Sequence, residues 1–181
     1  MNVSASSSFV ATALRGVLVG IVSLGLSACG GSSDPVNFNG TYTTTLTNSD
    51  NGCQLANWKA NEVTENVQVV ATTDALNPKS VLVTVEGLTG AWLELFVGSR
   101  MFISTSDGSA LSGVLLGRVT TDDKGCMQTV RIRLNATLKN DTLEGTLTYG
   151  FDVKNPSVCG IKATCTNQQT LKGLRPPLPT K

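Results

Sequence analysis

The chain has 181 residues, 40% of them hydrophobic and only 15% charged, with 14 basic against 13 acidic side chains, five cysteines and no histidine. A near-neutral balance without a basic cluster excludes the concentrated positive footprint of a nucleic-acid binder, and the missing histidine removes the commonest general base and metal ligand. The length is that of one domain.

Only one charge, Arg15, precedes Asp34, and it is followed by the apolar run GVLVGIVSLGL from Gly16 to Leu26, closing on the small residues Ser27 and Ala28. This layout predicts a secretory signal peptide over residues 1–28. At a rise of about 1.5 Å per residue the run covers roughly 16 Å, half a bilayer core, which disfavours a permanent spanning helix.

The junction Leu26-Ser27-Ala28-Cys29, followed by Gly30 and Gly31, resembles the lipobox of bacterial lipoproteins. The resemblance implies cleavage just before Cys29, a diacylglyceryl group on the Cys29 thiol and an acyl group on the new amine, with no cofactor beyond this covalent lipid. One acyl chain binds a membrane only marginally, whereas two or more hold stably. Residues 29–37 then form the lipidated cysteine and a tether, GGSSDPVN, whose full extension is about 26 Å. In enterobacterial lipoproteins an Asp directly after the cysteine retains the protein at the inner membrane. Gly30 stands there instead, so the resemblance implies an outer-membrane protein facing the periplasm, with the cell surface left open.

From Phe38 onward, Thr- and Val-rich segments alternate polar and apolar residues, separated by Asn, Asp, Gly and Ser clusters, as in all-β domains. The expected strands are Gly40 to Thr47, Val63 to Thr72, Ser80 to Glu86, Ala91 to Val97, Arg100 to Thr105, Leu111 to Thr121, Thr129 to Leu138 and Leu143 to Val153. Clearest is the hairpin in which Val130, Ile132, Leu134, Ala136 and Leu138 share one face, the chain turns at Lys139, Asn140 and Asp141, and Leu143, Gly145, Leu147, Tyr149 and Phe151 share the next. A last strand within Ile161 to Leu174 is expected beside the first. Alternation without helical crossovers predicts one antiparallel domain over residues 38–174, an up-and-down barrel of about eight strands, with a two-sheet sandwich as the alternative. Residues 175–181, with Pro176, Pro177 and Pro179, read as an exposed Pro-rich tail, or as a docking peptide in polyproline form.

Phe38, Gly40 and Tyr42 resemble the glycine-and-aromatic opening of the lipocalins, with Tyr42 where that family has Trp. Over these few residues the resemblance implies an eight-stranded ligand-binding barrel. Tyr42, Trp58 and Trp92 are the candidate cavity or rim aromatics, core packing being their ordinary alternative. Gly87, Gly90, Gly113, Gly117 and Gly145 are expected at bulges and bends.

With Cys29 assigned to lipid, Cys53, Cys126, Cys159 and Cys165 leave an even count in an exported chain, which predicts two disulfides. If the segments Asn48 to Gly52 and Thr121 to Gly125 are both turns, Cys53 and Cys126 open strands at equivalent places, and the expected pairs are Cys53 with Cys126 and Cys159 with Cys165. The cysteines are too scattered for a zinc site, and no metal is expected.

No nucleophile elbow, phosphate loop or His–Cys pair occurs, so the chain reads as a non-enzyme, with a hydrolase assembled from distant strands as the residual case. Asp122 and Asp123, beside Lys124 and Gly125, read as a hairpin turn rather than paired catalytic carboxylates, and Arg131 and Arg133 as a solvated face. The expectation is a membrane-anchored envelope lipoprotein whose barrel binds a small apolar ligand or a partner protein. The alternative is a structural or assembly subunit of an outer-membrane complex, with a filled core.

Overall fold

The computed structural model describes residues 36–159 and 165–176. The signal peptide, the lipobox with Cys29, most of the tether, the expected strand start at Ile161 and the tail beyond Pro176 lie outside the described residues.

The elements in chain order are β1 (Gly40–Asn51), β2 (Val63–Thr73), β3 (Ser80–Val85), α1 (Gly87–Phe96), β4 (Met101–Asp107), β5 (Ala110–Thr121), β6 (Met127–Lys139), β7 (Thr142–Val153), α2 (Pro156–Cys159) and β8 (Thr166–Leu174). Each strand pairs antiparallel with the next, and β8 returns to β1, closing the eight-stranded barrel. The sandwich alternative is thereby excluded. Closure satisfies the backbone groups that an open sheet would leave unpaired at its edges.

Period-two alternation turns one side chain in two inward. Tyr42 and Leu46 of β1, Val67, Val69 and Ala71 of β2, Val81 and Val83 of β3, Leu111 and Leu115 of β5, Ile132 and Leu134 of β6 and Leu143 and Leu147 of β7 join one buried core. The expected β6–β7 hairpin is present in register from Lys139↔Thr142 to Gln128↔Val153. Its two turn residues, Asn140 and Asp141, both have positive φ, 49° and 61°, the conformation that suits a two-residue hairpin to the twist of its strands.

Four expectations need correction. First, Ala91 to Val97 belongs to the helix α1. Gly90, Leu93 and Val97, spaced at helical intervals, are the buried residues, while Leu88, Trp92, Leu95 and Phe96 stay exposed; apolar residues on both faces hide the helical period and mimic a strand. Gly87 and Gly90 are therefore helical rather than bulge residues. A Cβ at Gly90 would collide with the Val85 carbonyl, so the helix lies directly against the end of β3. Eight strands result because β8 takes the place of the lost one, beside β1 as expected.

Second, Asn48 to Gly52 is not a simple reversal: β1 continues to Asn51, and Asn48 is buried. Third, the cysteines pair as Cys53–Cys165 and Cys126–Cys159. In a closed meander the β1–β2 and β5–β6 connections lie across the barrel from each other, whereas the β7–β8 connection neighbours both. Each disulfide therefore joins adjacent loops. Fourth, Tyr42 is neither cavity nor rim: it is fully buried at the opposite end of the barrel, its hydroxyl donating to the Phe38 carbonyl at 2.8 Å.

Of the strand glycines expected at bulges, Gly117 alone marks one, and Gly113, like Gly145, lies in regular pairing. Gly117 falls within the register shift between Leu116 and Val119, whereas Gly145 sits in an unbroken ladder where a Cβ would strike the Asn135 carbonyl. Asp122 makes a turn, its Oδ1 accepting from the amides of Lys124 and Cys126 at 2.9 and 2.8 Å.

Candidate ligand cavity at the barrel mouth

The meander divides the loops between two ends. The short β2–β3, β4–β5 and β6–β7 turns close one end, together with Val36–Phe38 before β1 and Arg175 after β8. Arg175 is 6% exposed; its Nη1 donates to the carbonyls of Asn37 and Asn39 at 2.8 and 2.6 Å, and its Nε to Asp141 Oδ1 at 2.9 Å. The domain thus includes Arg175, which the sequence reading placed in the tail.

The longer connections gather at the other end: residues 52–62, the segment carrying α1, the Asp122–Gly125 turn and the segment carrying α2. Two of them, the first connection and the α1 segment, wall a cavity of about 530 Å³ together with the strand ends. Trp58 and Leu55 come from the first connection, Trp92, Phe96 and Val97 from α1 and its end, Val130 and Ile132 from β6, Tyr149 and Phe151 from β7, and Asn167 from β8. A smaller adjoining cavity of about 200 Å³ shares Trp58, Trp92, Ile132 and Tyr149 and runs inward to Leu46, Val69 and Phe102. The mouth half is hollow, whereas the closed half holds fully buried core side chains such as Tyr42, Leu111 and Leu143.

Local chemistry explains why these side chains hold position. The Trp58 ring meets Tyr149 edge to face, with centroids 5.6 Å apart, and Trp92 leans on Phe96 at 5.1 Å, both within the favourable range for aromatic pairs. Tyr149 donates to Gln169 Oε1 at 2.5 Å, Gln169 Nε2 donates to Asn48 Oδ1 at 2.7 Å, and Asn48 Nδ2 donates to the Lys59 carbonyl at 3.0 Å. This relay pins the Trp58 loop to the barrel wall. Burial pushes the Tyr149 phenol far above the ordinary tyrosine range, so it stays neutral.

Disulfides Cys53–Cys165 and Cys126–Cys159 link three of the four mouth connections. The fourth, carrying α1, is held non-covalently. Arg118 donates from its backbone to the Val97 carbonyl at 2.8 Å and from its guanidinium to the Leu95 carbonyl at 2.7 Å. Arg100 pairs with Glu86 at 3.0 Å across the base of the helix. At its far end, Gly98, with φ of 92°, donates to Leu93 and stops the helix.

Of the three candidate aromatics, Trp58 and Trp92 thus meet at one cavity, and Tyr42 does not. Tyr149, Asn167, Gln128 and Phe96 complete the site without having been singled out. The signal for two of them was present: Tyr149 and Asn167 are polar groups at inward strand positions, where period two calls for apolar residues.

Fold and cavity together define a class: a closed eight-stranded antiparallel barrel, disulfide-linked at its rim and hollow at its mouth. No family model matches the chain, and neither a curated protein nor a solved structure matches it.

Proposed function

We propose that this protein is a membrane-anchored lipoprotein of the bacterial envelope whose barrel carries a small apolar molecule. The observation that carries the reading is the mouth cavity, about 530 Å³ and walled mainly by aromatic and aliphatic side chains, within the size range of small-molecule sites. A purely structural barrel would fill both halves. Carriage rather than catalysis is supported by the lining: its titratable group, Tyr149, is held neutral and engaged with Gln169, and is no base near neutral pH.

The lipid on Cys29 is part of this proposal, and the disulfides are compatible with an extracytoplasmic site. The described chain enters the barrel at its closed end, opposite the mouth cavity.

Native mass spectrometry of a Cys29→Ser form, exported under an unrelated cleavable leader, tests the carrier reading. A co-purified species of a few hundred daltons that is lost on denaturation is the expected result. Failure of the bare protein to take up any apolar probe overturns it. Mass spectrometry of the native amino-terminal peptide, with Cys29 unmodified, would overturn the anchor separately.

A further inference from the structure

Period two should turn polar side chains outward, and on much of the barrel it does. The outward residues of β1 are Thr41, Thr43, Thr45 and Thr47, and those of β7 include Glu144, Thr146 and Asp152. The wall of β3, β4 and β5 departs from this rule. Leu82, Ile103 and Val114 face solvent in one row, Leu82 opposite Ile103 and Ile103 opposite Val114 in the ladder. Met101 and Leu116, two residues nearer the mouth than Ile103 and Val114, are exposed beside them, and Ile103 and Leu116 are 77% and 61% exposed. Directly opposed side chains on one face of a sheet stand about 5 Å apart, so these residues form one patch rather than scattered apolar positions. A contiguous apolar patch on a water-facing wall marks a contact surface.

The uncompensated charge at its border is positive. On the β6 side Arg133 stands opposite Val114 and Arg131 opposite Leu116, and Arg118 follows two residues after Leu116. Arg131 pairs with Asp152 and Arg100 with Glu86, whereas Arg133 and Arg118 have no carboxylate partner among the described residues. On the other side Thr72 and Val70 of β2, opposite Leu82 and Thr84, are uncharged. The three strands themselves hold one carboxylate, Asp107, at the closed end of β4.

Five partly exposed side chains fall short of the roughly 800 Å² per partner that a stable protein interface buries, and the wall of a closed barrel curves away on both sides. A rigid partner touches such a convex strip only along its crest. A fluid one conforms to it: at a bilayer surface the apolar side chains enter the acyl boundary while arginines on long stems reach the headgroup phosphates. We infer that the outer wall of β3–β5 is a lipid-docking face, which lays this side of the barrel against a bilayer carrying anionic headgroups through its own side chains, independently of any lipid on Cys29.

The test is vesicle flotation of the exported Cys29→Ser form, which lacks the acceptor thiol, with vesicles of phosphatidylcholine alone and of phosphatidylcholine and phosphatidylglycerol in equal parts. Binding to the mixed vesicles is expected, at least about fivefold tighter than to phosphatidylcholine, the weight of one arginine near a charged surface. Ile103→Gln combined with Leu116→Gln should weaken binding to both vesicles about tenfold. Both side chains are exposed, so the unfolding midpoint should stay where it was. Arg133→Gln should weaken binding to the mixed vesicles about fivefold and leave phosphatidylcholine unchanged.

No flotation with the mixed vesicles overturns the inference, as does binding that the Ile103→Gln and Leu116→Gln pair leaves unchanged. A dimer in sedimentation velocity that the same pair abolishes would assign the face to a second copy of the chain and equally overturn it. Each of these results leaves the carrier reading standing, because the mouth cavity lies elsewhere on the barrel.

Discussion

The guanidinium of Arg175 lies over the ring of Tyr42, 5.5 Å from its centroid, and seals the closed end of the barrel. The same guanidinium is spent on Asp141, Asn37 and Asn39, so one side chain joins the start of β1, the β6–β7 turn and the end of β8. Its removal leaves Asp141 and two carbonyls without their donor. Arg175→Ala is expected to cost about 3 kcal/mol of unfolding free energy, in the range for breaking a buried ion pair. Urea denaturation measures it, and a double-mutant cycle with Asp141→Asn should return a coupling above about 1 kcal/mol.

Alkaline stability should follow the buried phenols. Burial raises Tyr149, and burial also raises Tyr42, with Arg175 pulling partly back. Below pH 10, the ordinary value, folded and unfolded chains both keep the proton and nothing is lost. Above it the unfolded chain releases its proton first, so the unfolding free energy falls by about 1.4 kcal/mol per pH unit for each phenol held neutral. Denaturation curves between pH 8 and pH 12 give the slope, on the order of these values. Tyr149→Phe should make it shallower.

The two disulfides should differ in weight. Cys53–Cys165 closes a loop of 112 residues and Cys126–Cys159 one of 33. The chain-entropy model assigns them about 5 and about 4 kcal/mol. Replacing Cys53 and Cys165 together by Ser should therefore lower the denaturation midpoint more than replacing Cys126 and Cys159. The reverse order would mean that loop entropy does not govern the rim.

Helix α1 is the mouth element without a covalent link, and its backbone amides should exchange with solvent faster than those of β6 and β7. Arg118→Ala, which removes the guanidinium bond to Leu95, should speed exchange within Gly87–Phe96 about fivefold, the equivalent of roughly 1 kcal/mol. Exchange in β6 and β7 should not change. Hydrogen exchange read by mass spectrometry resolves the two regions.

Most of the wall was legible in the sequence because period two is a local signal: each inward Val or Leu declares itself against its immediate neighbours. The β6–β7 hairpin was readable to its turn, since Asn140 and Asp141 tolerate the positive φ that the turn requires. Helix α1 was not legible, because whether Leu95 and Phe96 face water or a core depends on distant strands. The same holds for the cysteines: their number follows from composition, but their pairing follows from which loops the closed barrel makes neighbours. Trp58 and Trp92 could be named from residue type alone. Asn167 acquires its meaning only where Cys53 orients it.

Arg175 also brings the two ends of the described chain together, since it follows β8 directly and its Nη1 holds the Asn37 carbonyl just before β1. The barrel wall is thus almost a seamless ring in sequence as well as in space. A short linker joining the two ends, with new termini opened in the exposed residues between β2 and β3, should give a circular permutant with the same strand order. The new termini, like the original ends of the described barrel, would then lie at its closed end and leave the mouth clear.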